Sequence, residues 1–387
     1  MTTKTLIADS SATNSAGNSA RNSAAEKAGV RRRVCHVSLG LCTGGMERLL
    51  VEFARCDDRE HYELHFIALH NTGQPAEDIR SLGCTVHLLP DLRGKPWAQW
   101  LALVRCFKKL KPDVVHTHNA YPHFYGTLAA RWCRIPAVLN TRHGRRIGTT
   151  WRARTWFWIA GMLADRVVAV SDDAAKLCLK DVSLPQRKVA RIWNGIDLSR
   201  FAFRGPASDP IAISVARLSP EKDFPTLIRA VALAAEVVPE LRLQIVGDGP
   251  EWSRLEQLIL ELGQSSRIQL LGERQDIPEL LATAGFFATA TLTEGISLTL
   301  LEAMASGLPV LATNVGGNPE IVEEDRTGYL VSEGNPEILA AALIRMVHGS
   351  GLWPELGRQG RKRVEQHFSN QNMVGSYEKL YTDLLQG

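Results

Sequence analysis

One repeated phrase restricts the fold more than any other feature: a short apolar run rich in β-branched residues, then a loop, then an amphipathic helix. It first occurs as Val34–Leu39, the glycine-bearing loop Gly40-Leu-Cys-Thr-Gly-Gly45, and a helix through about Cys56. Short continuous apolar runs bounded by turn signals fit strands buried on both faces, and strands alternating with helices build parallel, doubly wound sheets. The spacing predicts further strands over His61–Leu69, Thr85–Leu89, 112–119, Ala137–His143, Arg166–Ser171 and Lys188–Trp193, with a helix over Trp97–Leu110. Ser171-Asp-Asp173 reads as the cap of another helix. The first loop lets backbone approach a phosphate, but it is not G-x-G-x-x-G, and no acidic residue is placed to hold a dinucleotide ribose.

The phrase then pauses and restarts. Residues 198–209, with Phe201, Phe203, Gly205 and Pro206, read as an interdomain linker. A second series follows, with strands at Ile211–Ala216, Leu241–Val246, Ile268–Leu271, Phe286–Ala290 and Pro309–Thr313, and late helices over 336–347, 354–367 and 370–385. At 387 residues the chain accommodates two domains. The expectation is α/β: two Rossmann-like doubly wound domains, 31–200 and 206–368, and a terminal segment, 369–387. Residues 1–30 repeat Asn-Ser-Ala at Asn14, Asn18 and Asn22 in a tract too polar to bury a core, and are expected to be disordered.

Charge separates the halves. Residues 31–205 hold 28 Lys+Arg against 15 Asp+Glu, a balance of +13; residues 206–387 hold 14 against 24, a balance of −10. A basic half suits an anionic partner such as phospholipid, a phosphorylated lipid carrier or an acidic glycan. No nucleic-acid motif accompanies it, so nucleic acid is not expected as a partner. All seven cysteines lie in the first half without a C-x-x-C, and read as reduced core thiols of a cytoplasmic protein. The longest apolar candidate, Trp156–Ala164, stops at Asp165-Arg166, short of a membrane span. The inner face of a membrane remains a place of contact, because Arg145 to Trp158 interleaves bases with tryptophans. That stretch suits a membrane interface or an anionic lipid acceptor; equally, it suits a cationic helix face with its tryptophans packed into the core. His143, Arg145, Arg146 and Trp151 are its acceptor or membrane candidates.

The chemistry concentrates at Glu294-Gly-Ile-Ser-Leu-Thr-Leu-Leu-Glu302. Ser297 is a helix N-cap candidate, and the helix ends at Gly307 and Pro309. Glu294 would then sit on the entering loop and Glu302 inside the helix. The free N–H groups near Leu298 and Thr299 make a phosphate seat. An acid pair at a helix start is by itself equally a dipole effect. Upstream, Arg217 and Lys222 come off a strand end and could clamp a diphosphate. No Asp-x-Asp and no Walker-type loop occurs, so neither a metal nor another cofactor is expected. His118 ends a strand, where ligand crevices lie in open sheets; His116 is expected to point to the opposite side of that strand.

In order and spacing, the Gly44-Gly45 loop, His118, "VARLSPEKDF", "IVGDGP" and "EGISLTLLEAMASGLPV" resemble the retaining GT4 glycosyltransferases of GT-B fold, from about residue 33 onward. The resemblance implies a nucleotide-diphosphate sugar donor, retention of anomeric configuration by front-face attack assisted by the leaving phosphate, and a glycan or lipid-linked acceptor. It implies that Gly45 approaches the donor phosphate and that Arg217, Lys222 and the backbone of Ser297, Leu298 and Thr299 bind the diphosphate. Glu302 would hold the ribose, Glu294 would touch the transferred sugar, and His118 would lie near the reacting centre. A last helix crossing back to the first domain is also implied. Ile296 departs from the family, which often has an aromatic residue there. A nucleotide-sugar-binding protein without transfer activity is the alternative.

Overall fold

The computed structural model describes residues 31–42, 44–143 and 150–387. The expected disordered tail, and Arg145 and Arg146, lie outside them. The first half alternates β1 (Arg32–Leu41), α1 (Gly45–Cys56), β2 (Tyr62–Thr72), α2 (Gln74–Ser81), β3 (Thr85–Leu88), α3 (Pro96–Leu110), β4 (Val114–His118), α4 (Ala120–Trp132), β5 (Ala137–Arg142), α5 (Trp151–Leu163), β6 (Arg166–Ala169), α6 (Asp172–Lys180) and β7 (Val189–Arg191). These strands form one sheet of order β3-β2-β1-β4-β5-β6-β7, and every pairing between neighbours is parallel. Right-handed crossovers put α1 and α2 on one side, where the chain winds toward β3, and α3, α4 and α5 on the other, where it winds toward β7.

The second half runs β8 (Ile211–Val215), α7 (Phe224–Ala234), β9 (Arg242–Val246), α8 (Trp252–Glu261), β10 (Ile268–Leu270), α9 (Ile277–Leu281), β11 (Phe286–Thr289), α10 (Leu298–Ser306), β12 (Val310–Thr313), α11 (Asn318–Ile321) and β13 (Gly328–Val331). It ends with α12 (Pro336–His348), α13 (Trp353–His367) and α14 (Asn370–Gln386). Its sheet, β10-β9-β8-β11-β12-β13, is also parallel throughout. The fold is thus two Rossmann-like domains.

α14 belongs to the first domain in space. Met373, Val374, Tyr377, Tyr381 and Leu385 are buried in the cluster built on Leu50, Phe53 and Phe66. Each such large buried side chain contributes about 1.5–3 kcal/mol of transfer free energy, enough in sum to hold a terminal helix in place. Tyr62 adds a polar tie, its hydroxyl donating to the Glu378 carbonyl at 3.0 Å.

The segment read as a linker is packed: Phe201 is buried in the second-domain cluster that holds Leu300 and Met304. All seven cysteines are free, but only Cys35 and Cys178 are buried. Desolvation raises the thiols of both above the usual range. No described helix is long and apolar enough to cross a membrane.

Candidate active site

Each sheet has one point where the chain reverses its winding, between β1 and β4 in the first and between β8 and β11 in the second. Ligand crevices in open parallel sheets form at the carboxyl ends of the strands flanking such a point. Gly45 follows β1 and His118 ends β4; Lys222 follows β8 and Glu294 follows β11. All four candidates therefore stand at the two crevices.

The crevices face each other. A Cβ built on Gly45 would lie 3.9 Å from Leu298 Cδ1, and one on Gly295 would lie 2.7 Å from the His143 carbonyl oxygen. Leu298 packs against the clusters of both domains.

On the second-domain side, two loops are stitched together. The Glu221 carbonyl accepts from Leu292 N–H at 2.9 Å and from Thr291 Oγ1 at 3.0 Å. This brings Lys222 to Glu294, and Lys222 Nζ donates to Glu294 Oε2 as an ion pair. Arg217 is exposed, and its side chain has no hydrogen bond or ion pair among the described residues. Ser297 caps α10, its Oγ accepting from Leu300 N–H at 3.4 Å. The N–H groups of Leu298 and Thr299 fall in the first turn, before any helical acceptor is available. Gly307 closes the helix at φ +89°, a left-handed cap that suits glycine.

Glu302 lies one turn into α10. Burial pushes its carboxyl up to about 7, against the pull of Arg48 and Arg200. Arg48 comes from α1 and Arg200 from the chain joining the domains, so cations from outside the second sheet act on this carboxylate through space. Neither was a sequence candidate. The available signal was a base one residue beyond the glycine loop's first helical turn.

On the first-domain side the histidines form a buried cluster. His118 Nε2 pairs with His36 Nδ1 at 3.0 Å, and His118 Nδ1 pairs with His143 Nε2 at 3.0 Å. His116 does not point away from His118: their rings lie 4.2 Å apart between centroids. Residues two apart in a strand share a face, so the expected opposition is corrected by the pleat itself. His116 Nδ1 contacts the Tyr381 hydroxyl at 2.7 Å and its Nε2 the Thr141 hydroxyl at 2.7 Å. Thr141 Oγ1 continues to the Tyr377 hydroxyl at 2.9 Å. The C-terminal helix thus supports the histidines from beneath.

Desolvation lowers the ring pKa of His36 to about 3 and of His143 to about 4, and those of His116 and His118 well below the usual value. His36, His116 and His118 are also the one group among the described residues close enough together to hold a metal ion. Both nitrogens of His116 and both of His118 already have partners, and only His36 Nε2 is left over.

Trp151 opens α5 and is exposed, as are Trp156 and Trp158; only Phe157 of that aromatic group is buried. The reading in which these tryptophans pack into the core is therefore set aside. The buried positions of this helix are Phe157, Ala160 and Gly161, and a Cβ built on Gly161 would lie 2.8 Å from Leu184 Cδ2.

Two facing Rossmann-like domains, each offering its winding-reversal crevice to a shared cleft, define the GT-B class. Two family profiles divide the chain between them: Glycosyltransferase Family 4 matches residues 43–200 and Glycosyl transferases group 1 matches residues 196–363. The chain belongs to the GT4-type glycosyltransferases.

Among its relatives is the UDP-Gal:alpha-D-GlcNAc-diphosphoundecaprenol alpha-1,3-galactosyltransferase of Escherichia coli. It is 26% identical over 382 residues, covering 91% of this chain and 97% of that protein. The N-acetyl-alpha-D-glucosaminyl L-malate synthase of Bacillus anthracis is 29% identical, covering 70% of this chain and 75% of that protein. Among solved structures, a Rickettsia africae glycosyltransferase matches with a TM-score of 0.80 at 21% identity, over 92% of this chain and 99% of that one. The Anabaena protein HepE, crystallised with UDP, matches with a TM-score of 0.79 at 21% identity, over 91% of this chain and all of that one.

Proposed function

We propose that this glycosyltransferase takes its sugar from a nucleotide-diphosphate sugar, with retention and without a metal, and passes it to a glycan or lipid-linked acceptor in cell-surface polysaccharide or glycolipid synthesis. The observation that carries the reading is the Lys222–Glu294 pair beside the free first turn of α10, opposite Gly45. In the proposal Arg217, Lys222 and the N–H groups of Leu298 and Thr299 stabilise the charge of the departing diphosphate, and Glu302 accepts from the ribose hydroxyls. Glu294 contacts the sugar, and His118 and Glu294 are the proposed catalytic pair. The named relatives support the donor and acceptor classes: one uses UDP-Gal and a diphosphoundecaprenol-linked sugar, and HepE binds UDP.

The test is a panel of nucleotide-sugars, scored by hydrolysis and by transfer, with anomeric configuration read by NMR and divalent ions chelated. Removing one preorganised donor to the leaving charge costs on the order of 3 kcal/mol, or about a hundredfold in turnover. Lys222→Ala and Glu294→Ala should each show at least that loss. Wild-type turnover in both variants would sink the site assignment. Binding of a nucleotide-sugar with no turnover by the intact protein would favour the non-catalytic alternative.

A further inference from the structure

α3, α4 and α5 pack side by side over one face of the first sheet, away from α1 and α14. Their outer surface has an unusual make-up. None of the three helices contains Asp or Glu. Across residues 92–164 there are thirteen Lys+Arg and a single acid, Asp113, and Asp113 is engaged, its Oδ2 accepting from Arg33 N–H at 2.8 Å. Six of these bases, Arg105, Lys108, Lys109, Arg131, Arg152 and Arg154, stand on the three helices, and of them Arg131 is paired, with Asp165 at 2.7 Å.

The same layer holds six of the nine tryptophans of the chain. Trp97 is 78% exposed, Trp132 66% and Trp151 71%. Trp97, Leu101, Arg105 and Lys108 make one exposed stripe along α3 at helical spacing. Partly buried Trp100 and Phe124 pack against the core and carry the exposed indoles: Trp97 and Trp100 lie 6.4 Å apart between centroids, Trp100 and Trp132 5.6 Å, and Trp156 stacks on Phe124 at 4.9 Å.

We propose that the α3–α4–α5 face docks this protein on an anionic lipid bilayer, with the indoles at headgroup level and the Lys and Arg side chains on lipid phosphates. Indole has an apolar body and a polar N–H, and it partitions to the membrane–water boundary. A basic helical face with Trp and Leu among the charges is the composition of an interfacial surface. A second copy docking through the same face would bring the same positive charge and be repelled. Nucleic acid would satisfy the charges but leave the exposed indoles, Leu101 and Met162 in water. The first turns of these helices follow the carboxyl ends of the strands, so docking would hold the cleft beside the lipid surface. The inference adds a surface to the lipid-linked acceptor reading and is independent of the donor site.

The test is co-sedimentation of the full chain with phosphatidylglycerol-containing vesicles and with pure phosphatidylcholine vesicles, at low and high salt. The wild type should bind the anionic vesicles at low salt and release at high salt. Each Lys or Arg at a charged surface is worth about 1 kcal/mol, or about fivefold in partition. The double variant Arg105→Glu with Lys108→Glu should lose at least about 25-fold on that scale, and the triple variant Trp97→Ser, Trp132→Ser, Trp158→Ser should lose at least about tenfold. Both variants should retain nucleotide-sugar hydrolysis measured without vesicles, which also reports that they fold. Lys222→Ala should behave in the opposite way, binding vesicles but not turning over. No sedimentation of the wild type, undiminished binding by both surface variants, or binding to duplex DNA in place of vesicles would overturn the proposal.

Discussion

Glu294 is held in place by backbone as much as by Lys222. Gly316 lies at φ +57°, and a Cβ built there would sit 2.0 Å from the Glu294 carbonyl oxygen. Neither the backbone conformation nor the contact can accept a side chain without moving the loop. Gly316→Ala should therefore lower turnover at least about tenfold, since a catalytic group displaced by even 1 Å can lose more than that. A nucleotide-sugar hydrolysis assay beside a thermal melt checks it; unchanged turnover in a folded variant would cut the link between this glycine and the carboxylate. Glu294, Glu302, Arg217 and Lys222 were legible in the sequence because loop and helix-start chemistry is local. Arg48, Arg200 and His36 were not, because nothing within a few residues of them marks a group far along the chain, 82 positions away for His36 and His118.

At the scale of elements, the buried histidines set a pH dependence. His36, His123 and His143 have ring pKa values lowered by burial to about 3, 3 and 4, and His116 and His118 are lowered well below the ordinary value. In the unfolded chain each titrates near 6.5. Between those limits the unfolded chain binds more protons than the folded one, so stability rises with pH through this window. It is present in full above about 6.5 and is lost as pH falls. Each ring that stays neutral costs up to about 2 kcal/mol at pH 5. An opposing trend comes from carboxyls that burial raises: Glu302, pushed up to about 7, and Glu47, Glu52, Asp57 and Glu378, raised in the same direction, favour the fold at low pH and lose that contribution as pH rises. Five histidines outweigh it. Urea unfolding should show several kcal/mol less stability at pH 5 than at pH 7.5; equal stability at both would contradict neutral burial of the cluster.

The elements themselves were unevenly legible. Parallel strands read clearly as apolar runs, and Ser297 and Gly307 marked the ends of α10. α4 escaped notice because it is buried nearly all round, with Pro122, His123, Tyr125, Gly126 and Ala129 inside, and a helix without a polar face has no period to detect. α2 is only eight residues long, and β13 only four, too short for a pattern to separate from loop.

Across the whole molecule, one carboxylate joins the two domains at the N-terminus of α6. Glu320 Oε1, from α11, accepts from Asp172 N–H at 2.7 Å and Asp173 N–H at 3.3 Å, and Oε2 accepts from Trp193 Nε1–H at 2.8 Å. An acid at a helix N-terminus is doubly favoured, by free N–H groups and by the dipole. Glu320→Ala should cost about 2 kcal/mol, the worth of a charge-assisted hydrogen bond, and lower the melting temperature by about 5 °C. If the residue also sets the angle between the domains, the radius of gyration in solution scattering should rise. An unchanged melt and scattering curve would reduce Glu320 to an incidental contact.

The sequence by itself determined the class of fold and marked the candidates Arg217, Lys222, Glu294 and Glu302 that the second-domain loops and α10 carry. Apolar runs, glycine loops and caps act through neighbours in the chain, and two opposite charge balances mark two halves. Only the tertiary structure decided what those pieces become together. It set the histidines against a C-terminal helix that returns to the first domain, brought the charges of Arg48 and Arg200 within reach of Glu302, and gathered six tryptophans from three helices onto one basic face. Those arrangements depend on which sheet face each crossover covers and on side chains meeting across long loops, and neither is written in any local stretch of residues.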